Sequence, residues 1–210
     1  MREELRPRSA VHHDLIMAAA FSMIRAADLK AVPWKNGGGA TREIAASPPG
    51  SSFDAFDWRV SVADVSEAGA FSVFEGIDRV LTLIEGTEMV LTDADGPRHV
   101  LARWDSLAFA GETKITAELP HGSTRDFNLM LRRDRVSGSV TVRRDTAALS
   151  VAQGSVVLVC ALGEFAVDDE RLSQGDALVF EARHGSHVLN VAPCSEGAVL
   201  IDARIVSKDR

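Results

Sequence analysis

Cysteine is scarce in this sequence. Among 210 residues the only cysteines are Cys160 and Cys194, and both lie in apolar, strand-like segments. Two cysteines do not form a disulfide framework in a chain of this length, and the lack of a Cys-x-x-Cys pair argues against a cysteine-based zinc site. We therefore expect two buried free thiols and a cytoplasmic protein.

Motifs for metal binding and for nucleophilic catalysis are also missing. The six histidines contain no His-x-His motif, and the pair His184 and His187 would face opposite sides of a strand at that spacing. There is no Gly-x-Ser-x-Gly segment, and neither cysteine has a basic neighbour in the sequence. We expect no metal and no cofactor.

A net positive charge and long apolar runs are also absent. The formal net charge is −7, which argues against nucleic acid as a partner because phosphate binding needs a concentrated basic patch. The apolar run at residues 15–21 is too short to span a membrane. We expect residues 1–22 to be an extension, partly disordered or a short helix, with Met1, Met17 and Met23 as candidate starts.

Short segments of alternating polar and apolar residues dominate after Arg25. Gly, Asp, Pro and Ser separate them, which is typical of an all-β protein. No helix longer than about three turns is expected after residue 30. The predicted strands are Trp58–Ala63, Arg79–Ile84, Glu88–Thr92, His99–Arg103, Ser106–Ala110, Phe127–Leu131, Val156–Ala161, Ala177–Glu181, His187–Val191 and Ala198–Ile205.

One β unit occurs twice. The segment 104–109, Trp-Asp-Ser-Leu-Ala-Phe, matches 175–180, Gly-Asp-Ala-Leu-Val-Phe, and each follows an apolar strand that ends in glycine, at Gly86 and Gly163. Strand, glycine turn, strand, Asp turn, strand is the order found in the cupin barrel, a jelly roll with room for one small ligand at its mouth. We predict an all-β chain of two fused cupin barrels, 23–140 and 141–210, joined within 136–154.

The most unusual segment is Pro33-Trp34-Lys35-Asn36-Gly37-Gly38-Gly39-Ala40-Thr41-Arg42-Glu43-Ile44. Three consecutive glycines indicate positive φ angles, a close backbone approach, or backbone amides that hold a ligand. The glycine spacing fits neither a Walker loop nor a dinucleotide fingerprint. Two interpretations stay open: a tight structural turn, or an anion-holding loop to which Lys35 and Asn36 contribute.

Two predicted strands carry polar side chains on one face. Arg59 and Ser61 share a face of the first strand, and Asp126 and Asn128 share a face of a later one. Such a face is either exposed to solvent or, in a small barrel, lines the lumen. In the second case Arg59 would offer a bidentate partner for a carboxylate.

These segments resemble the HutD/Ves family of the cupin superfamily. The resemblance rests on Pro-Trp-Lys-Asn-Gly-Gly-Gly at 33–39 with Thr-Arg-Glu-Ile at 41–44, Trp-Arg-Val-Ser at 58–61, Gly-x-Phe-Ser-x-Phe-x-Gly-x-Asp-Arg at 69–79 and Asp-Phe-Asn at 126–128. It covers roughly residues 23–206, with Glu75 in place of an expected proline. It implies a two-cupin fold in bacterial histidine utilisation and the site candidates Lys35, Asn36, Thr41, Glu43, Arg59, Ser61, Asp78, Arg79, Asp126 and Asn128.

Three functions follow as hypotheses. The first is metal-free binding of a small carboxylate from histidine degradation, urocanate or formylglutamate, which modulates the pathway. The second is a metal-independent isomerase or hydrolase that uses Glu43, Asp126 and His121 as proton-transfer groups. The third is an interaction module in which the second barrel forms a homodimer.

Overall fold

The computed structural model describes residues 19–52, 55–182 and 185–208. They form nineteen strands, and the only helix among them is a 3-10 turn at Ala26–Asp28. The strands are β1 Ala19–Ile24, β2 Ala31–Pro33, β3 Gly39–Ser47, β4 Trp58–Val65, β5 Gly69–Ala70, β6 Ile77–Glu85, β7 Glu88–Asp93, β8 Arg98–Ala102, β9 Ser106–Ala110, β10 Ile115–Glu118, β11 Thr124–Arg132, β12 Val136–Arg143, β13 Ala147–Val151, β14 Gly154–Leu162, β15 Glu164–Val167, β16 Glu170–Ser173, β17 Ala177–Ala182, β18 His187–Pro193 and β19 Val199–Ser207.

The strands form four antiparallel sheets in two pairs. The first pair contains β2-β3-β4-β11-β6-β9 and β5-β10-β7-β8, and the second contains β12-β19-β14-β17-β1 and β13-β18-β15-β16. The order β4-β11-β6-β9 therefore corresponds to β12-β19-β14-β17, and the smaller sheets correspond in the same way. Strands β2 and β3 extend the first pair only, and β1 extends the second only. The all-β fold is cupin-like, as predicted.

Alternation along the strands produces three large apolar cores, and Phe56, Ile77 and Met130 form a small fourth cluster. One face of β4 and β11, with Trp58, Val60, Phe127 and Leu129, packs against the facing large sheet of the second pair. The opposite faces of the large sheets point inward, each towards its own small sheet. Because side chains alternate between the two faces of a strand, the large sheets are covered on both sides. The inward face of the first large sheet positions the site described below.

The repeat seen in the sequence has the same backbone pairing in both copies. Trp104 N–H donates to Leu83 O and Leu83 N–H to Asp105 O, at 2.7 and 3.0 Å. In the second copy Gly175 N–H donates to Cys160 O and Cys160 N–H to Asp176 O, at the same distances. Trp104 and Gly175 both have positive φ, +81° and +89°. The duplicated β unit is therefore present in the fold.

The ten predicted strands are confirmed to within three residues at each end. The expected absence of long helices after residue 30 holds in the ranges the structure describes. The sequence did not predict β3, β10 and β12: β10 has only four residues, β12 is an edge strand, and β3 does not alternate strictly between polar and apolar residues. Of the two thiols, Cys160 is buried as expected but Cys194 is exposed.

Two strands cross the predicted boundaries. Most of the extension 1–22 lies outside the described residues, but its last four residues belong to β1, whose backbone pairs in register with β17. The boundary between 140 and 141 falls inside β12, which pairs along its full length with β19. Residues 19–24 therefore join the second sheet pair.

No helix in the described part of the chain is long and apolar enough to cross a membrane.

Candidate functional site

A cavity of about 840 Å³ opens between the large sheet of the first pair, the turn that follows β2, and the segment 70–74 at the end of β5. Deeper in the same lumen, Leu81, Leu83, Met89 and Leu91 fill the space completely. The cavity lies where polar side chains replace apolar ones on the lumen face of three strands: Arg59 and Ser61 on β4, Arg79 on β6, and Asp126 and Asn128 on β11. Its lining is Lys30, Val32, Pro33, Trp34, Lys35, Asn36, Thr41, Glu43, Arg59, Ser61, Ala63, Ala70, Phe71, Ser72, Phe74, Arg79, Asp126, Asn128 and Met130.

Arg79 is the buried cation of the cavity. Its guanidinium carbon lies 5.4, 5.6 and 5.0 Å from the ring centres of Phe71, Phe74 and Phe109. Its Nε donates a long hydrogen bond, 3.4 Å, to Asn128 Oδ1. Among the described residues no carboxylate oxygen lies within 4 Å of it. Burial lowers the pKa of Arg79 to about 10, although nearby Asp126 opposes the shift, so the side chain is a cation at neutral pH.

Arg59 lies on β4 and is held by the protein itself. Its Nε donates to Glu43 Oε2 at 2.7 Å, and its Nη1 donates to Ser61 Oγ at 3.3 Å. The Arg59 side chain is 9% exposed and that of Glu43 is 41% exposed. The ion pair thus joins the cavity wall on β4 to its rim on β3. It leaves Arg79 as the buried arginine of the cavity that has no carboxylate within 4 Å among the described residues.

Asp126 on β11 is a buried acid in the same wall. It is 1% exposed, and its Oδ1 has no hydrogen-bond partner among the described residues. Burial raises the pKa of Asp126 to about 7, against the lowering effects of the Arg79 charge and of a hydrogen bond with the Asn128 side chain. At neutral pH this carboxyl is therefore present in both its protonated and its ionised form.

The glycine segment forms the turn between β2 and β3. Gly37 has a φ of +78°, and a Cβ on Gly39 would lie 2.3 Å from the Asp64 carbonyl oxygen. The N–H of Gly37 donates to Trp34 O, and the N–H of Gly38 to the side chain of Asn36. The amides of Gly37 and Gly38 are used inside the turn, which favours the structural interpretation of this segment.

The residues flanking this turn nevertheless line the cavity. Lys35 and Asn36 are exposed at its rim. The Trp34 indole N–H donates to Thr41 Oγ1 at 2.8 Å, which fixes the tryptophan ring along the mouth. The turn therefore places one cation, two polar side chains and one large apolar ring around the opening.

The structure brings nine of the ten predicted site residues together. Asp78 is the exception: it lies on the outer face of β6, where Arg133 Nε donates to it at 2.7 Å. Consecutive strand residues face opposite sides, so Asp78 and Arg79 cannot both face the lumen. His121 lies exposed in the turn before β11 and outside the cavity lining. The proposed trio Glu43, Asp126 and His121 is therefore not assembled.

Sequence reasoning missed the apolar part of the site. Trp34, Phe71, Phe74 and Met130 line the cavity, and Phe109 covers Arg79 from the neighbouring strand. The signal was present in the segment Gly69-x-Phe71-Ser72-x-Phe74, which precedes β6 but has no regular alternation. Within the described residues, no three His, Cys, Asp or Glu side chains are grouped as a metal site requires.

Comparisons with known proteins agree with the resemblance seen in the sequence. The HutD family model matches residues 26–198. Protein Ves of Cronobacter sakazakii is 38% identical over 177 residues, 82% of this chain and 94% of that protein. An uncharacterized 21.2 kDa protein in the hutC 3' region of Pseudomonas putida is 36% identical over 139 residues, 66% of this chain and 73% of its own length.

A solved structure shows the same fold. HutD of Pseudomonas fluorescens SBW25 superposes with a TM-score of 0.83 at 30% identity, covering 90% of this chain and all of that one. The family model spans most of the chain, from the 3-10 turn before β2 to the start of β19. Two relatives more than 35% identical support the same assignment. The chain therefore belongs to the HutD family.

Proposed function

We propose that this protein binds a small carboxylate in the cavity of the first sheet pair without a metal. The observation that carries the proposal is Arg79: a buried guanidinium, enclosed by three aromatic rings, with no carboxylate of the described chain within 4 Å. A guanidinium presents parallel N–H groups that match the two oxygens of a carboxylate. Burying such a cation without an ion-pair partner is costly, and a bound anion reduces that cost.

The dimensions and lining of the cavity suit a small ligand. Its volume of about 840 Å³ lies in the range of small-molecule sites. Trp34, Phe71, Phe74 and Met130 provide an apolar surface, while Asn128, Ser61 and Thr41 provide hydrogen-bonding groups. Lys30 and Lys35 at the rim attract an anion towards the opening. A compact carboxylate with a short carbon chain or a flat ring is the class that fits.

The relatives suggest where the ligand comes from. One is described by its position in the hutC 3' region, and the family carries the HutD name. We infer that the ligand is an intermediate of histidine degradation, with urocanate and N-formylglutamate as candidates, and that binding modulates the pathway. In this proposal the two sheet pairs are two cupin barrels, the chain acts in the cytoplasm, and the second barrel is free to form a homodimer.

The first test is a thermal-shift titration with N-formylglutamate, urocanate and histidine, each with and without EDTA. A ligand that binds only the folded state raises the melting temperature as its concentration passes the dissociation constant. We expect a shift with at least one carboxylate that EDTA does not reduce. The variant Arg79→Met should lose it, whereas Arg98→Met, on the exposed strand β8, should keep it.

Each other outcome has a defined meaning. A shift that Arg79→Met retains would place the ligand elsewhere and contradict the proposal. A shift that EDTA abolishes would require a metal. No shift with either carboxylate up to about 1 mM would remove the support for a histidine-degradation ligand.

A further inference from the structure

Asp126 lies in the same cavity wall as Arg79. The two residues are on neighbouring strands, β11 and β6, and both face the lumen. One oxygen of Asp126 lacks a hydrogen-bond partner among the described residues. Asn128, between them on β11, accepts a hydrogen bond from Arg79 Nε. A ligand carboxylate on the terminal nitrogens of Arg79 therefore meets a second carboxyl group in the same wall.

The other charged groups around Asp126 are paired elsewhere or lie at the rim, so they do not compensate a second carboxylate in this wall. On β4, Arg59 is already paired with Glu43 of β3. Asp64, on the outer face of β4, is paired with Arg42 and Arg125, and Arg125 also binds Glu85 of β6. Lys30 and Lys35 are exposed at the rim. Arg79 is thus the principal cation that compensates the charge of Asp126, and a bound anion would compete for it.

Two carboxylates that share one buried site cannot both remain ionised, because like charges at short range in a low dielectric repel strongly. Burial already holds the pKa of Asp126 near 7 in the free protein. An anion placed on Arg79 cancels the favourable field of that guanidinium and raises the pKa further. A protonated carboxyl, in contrast, supplies a hydrogen-bond donor to the ligand.

We propose that Asp126 is a specificity-determining residue whose protonated carboxyl group binds the ligand. The ligand carboxylate accepts hydrogen bonds from Arg79 and from the Asp126 O–H. This inference rests on the proposed function. One proton is taken up from solvent for each ligand bound when Asp126 is ionised beforehand. The cavity then selects ligands with a carboxylate acceptor, and it binds them more weakly as the pH rises.

The expected size of the effect follows from linkage. If only the protonated form binds, the apparent affinity is constant well below the pKa of Asp126 in the free protein and falls tenfold per pH unit well above it. With that pKa near 7, affinity should fall roughly 50-fold between pH 7 and pH 9. The variant Asp126→Asn keeps a donor without the charge, so its affinity should change less than threefold over this range.

The experiment is isothermal titration calorimetry of the full chain with N-formylglutamate and with glutarate at pH 6, 7, 8 and 9. The carboxylates of both probes are ionised from pH 7 to pH 9, the range over which the affinity is expected to fall. Titrations at pH 8 in two buffers of different ionisation enthalpy count the protons taken up by the wild-type protein. Asp78→Asn, which alters the outer face of the strand that carries Arg79, is the matched control and should keep the wild-type pH profile.

The inference is supported by an uptake of close to one proton at pH 8 and by an Asp126→Asn variant that binds more tightly than wild type at pH 9. It is overturned if wild-type affinity is flat or rises with pH, or if binding releases protons. The number of protons that the wild-type protein takes up at pH 8 tests the inference even if the variant does not fold. Wild-type protein that binds neither probe at any pH overturns both this inference and the proposed function, whereas binding with a flat profile overturns this inference alone.

Discussion

The two halves of the molecule share a strand order but differ in the side chains that line their lumens. Residues of the two halves can be matched by their strand pairing. Leu81 pairs with Asn128 in the first half, and Leu158 pairs with Asp202 at the equivalent position of the second. By this correspondence Val156 stands in the place of Arg79, and Leu200 in the place of Asp126. Both second-half residues are buried in an apolar core. Two apolar side chains thus close the second lumen where a cation and an acid keep the first one open.

The halves also differ in how they satisfy a buried charge. Asp202 is fully buried, and it is held by Arg143 at 2.8 Å and by Arg204 at 3.2 Å. Arg79, in contrast, is close to Asp126 but forms no ion pair in the described chain. A buried charge with ion-pair partners is part of the scaffold, whereas one without them lowers stability and indicates a site kept for a ligand. The predictions below test this difference.

The largest effect is expected from truncating the aromatic residue at the centre of the second lumen. Phe165 is fully buried, so Phe165→Ala removes many contacts and leaves a void, at a cost of about 4 kcal/mol in unfolding free energy. Phe71→Ala removes a partly buried ring beside an existing cavity and should cost less than half as much. Urea denaturation of both variants measures the difference, and equal losses would contradict the contrast between a packed and an open lumen.

The next largest effect concerns the acid in the first lumen. Because the pKa of Asp126 is raised from 3.8 to about 7 in the folded protein, the folded state holds this proton more tightly than the unfolded state. Its contribution to stability is therefore full below pH 3.8 and is lost as the pH rises to 7. Each pKa unit corresponds to about 1.36 kcal/mol, so the unfolding free energy falls by at most about 4 kcal/mol over this pH range. We expect a fall of about 3 kcal/mol.

Asp126→Asn removes this loss. The variant should unfold at a higher urea concentration than wild type at pH 8, and the difference should shrink steadily as the pH falls from 7 towards 4. A difference that is independent of pH over this range would show that Asp126 is ionised normally. The measurement is made without ligand, so it is independent of the binding experiment.

The same substitution at the buried acid of the second half, Asp202, should have the opposite sign. Asp202→Asn leaves Arg143 and Arg204 next to a neutral amide and breaks a buried ion cluster. Loss of one partner of a buried pair costs about 3 kcal/mol or more, but here the two arginines are 24% and 33% exposed and partly recover hydration. We expect a loss of about 2 kcal/mol at pH 8, measured beside Asp126→Asn; a gain would mean that both lumens hold their acids alike.

The smallest effect on stability is expected at Arg79. Arg79→Met replaces a desolvated cation with a flexible apolar side chain that packs well against aromatic rings. We expect the unfolding free energy to stay level or to rise by about 1 kcal/mol, while carboxylate binding is lost. Thermal denaturation without ligand checks this, and a loss of more than about 2 kcal/mol would show that Arg79 belongs to the scaffold instead.

Much of the architecture was readable from the sequence. Alternation along segments such as Ser106–Ala110 predicted strands that the structure confirms, and the matching segments at 104–109 and 175–180 predicted the duplicated unit. Both signals are local: strand alternation has a period of two residues, and a repeat is visible wherever it occurs. Polar side chains at 59, 61, 126 and 128 were assigned to shared strand faces for the same reason.

The nature of those faces depended on the tertiary structure. A polar strand face has the same sequence pattern whether solvent or an enclosed lumen lies beyond it. Only the packing of the small sheet, β5-β10-β7-β8, over β4, β6 and β11 distinguishes the two. The glycine segment likewise required backbone hydrogen bonds to show that its amides are used within the turn.

What the sequence by itself determined is the all-β pattern, the repeat, and which residues share a strand face, because each depends on neighbours along the chain. Only the tertiary structure decided that Arg79 faces inward while Asp78 faces outward, and that Phe71, Phe74 and Phe109 surround one guanidinium. These contacts join a loop and two strands that are separated by up to 38 residues. Sheet register and closure of the layers bring them together, and neither is encoded in any single segment.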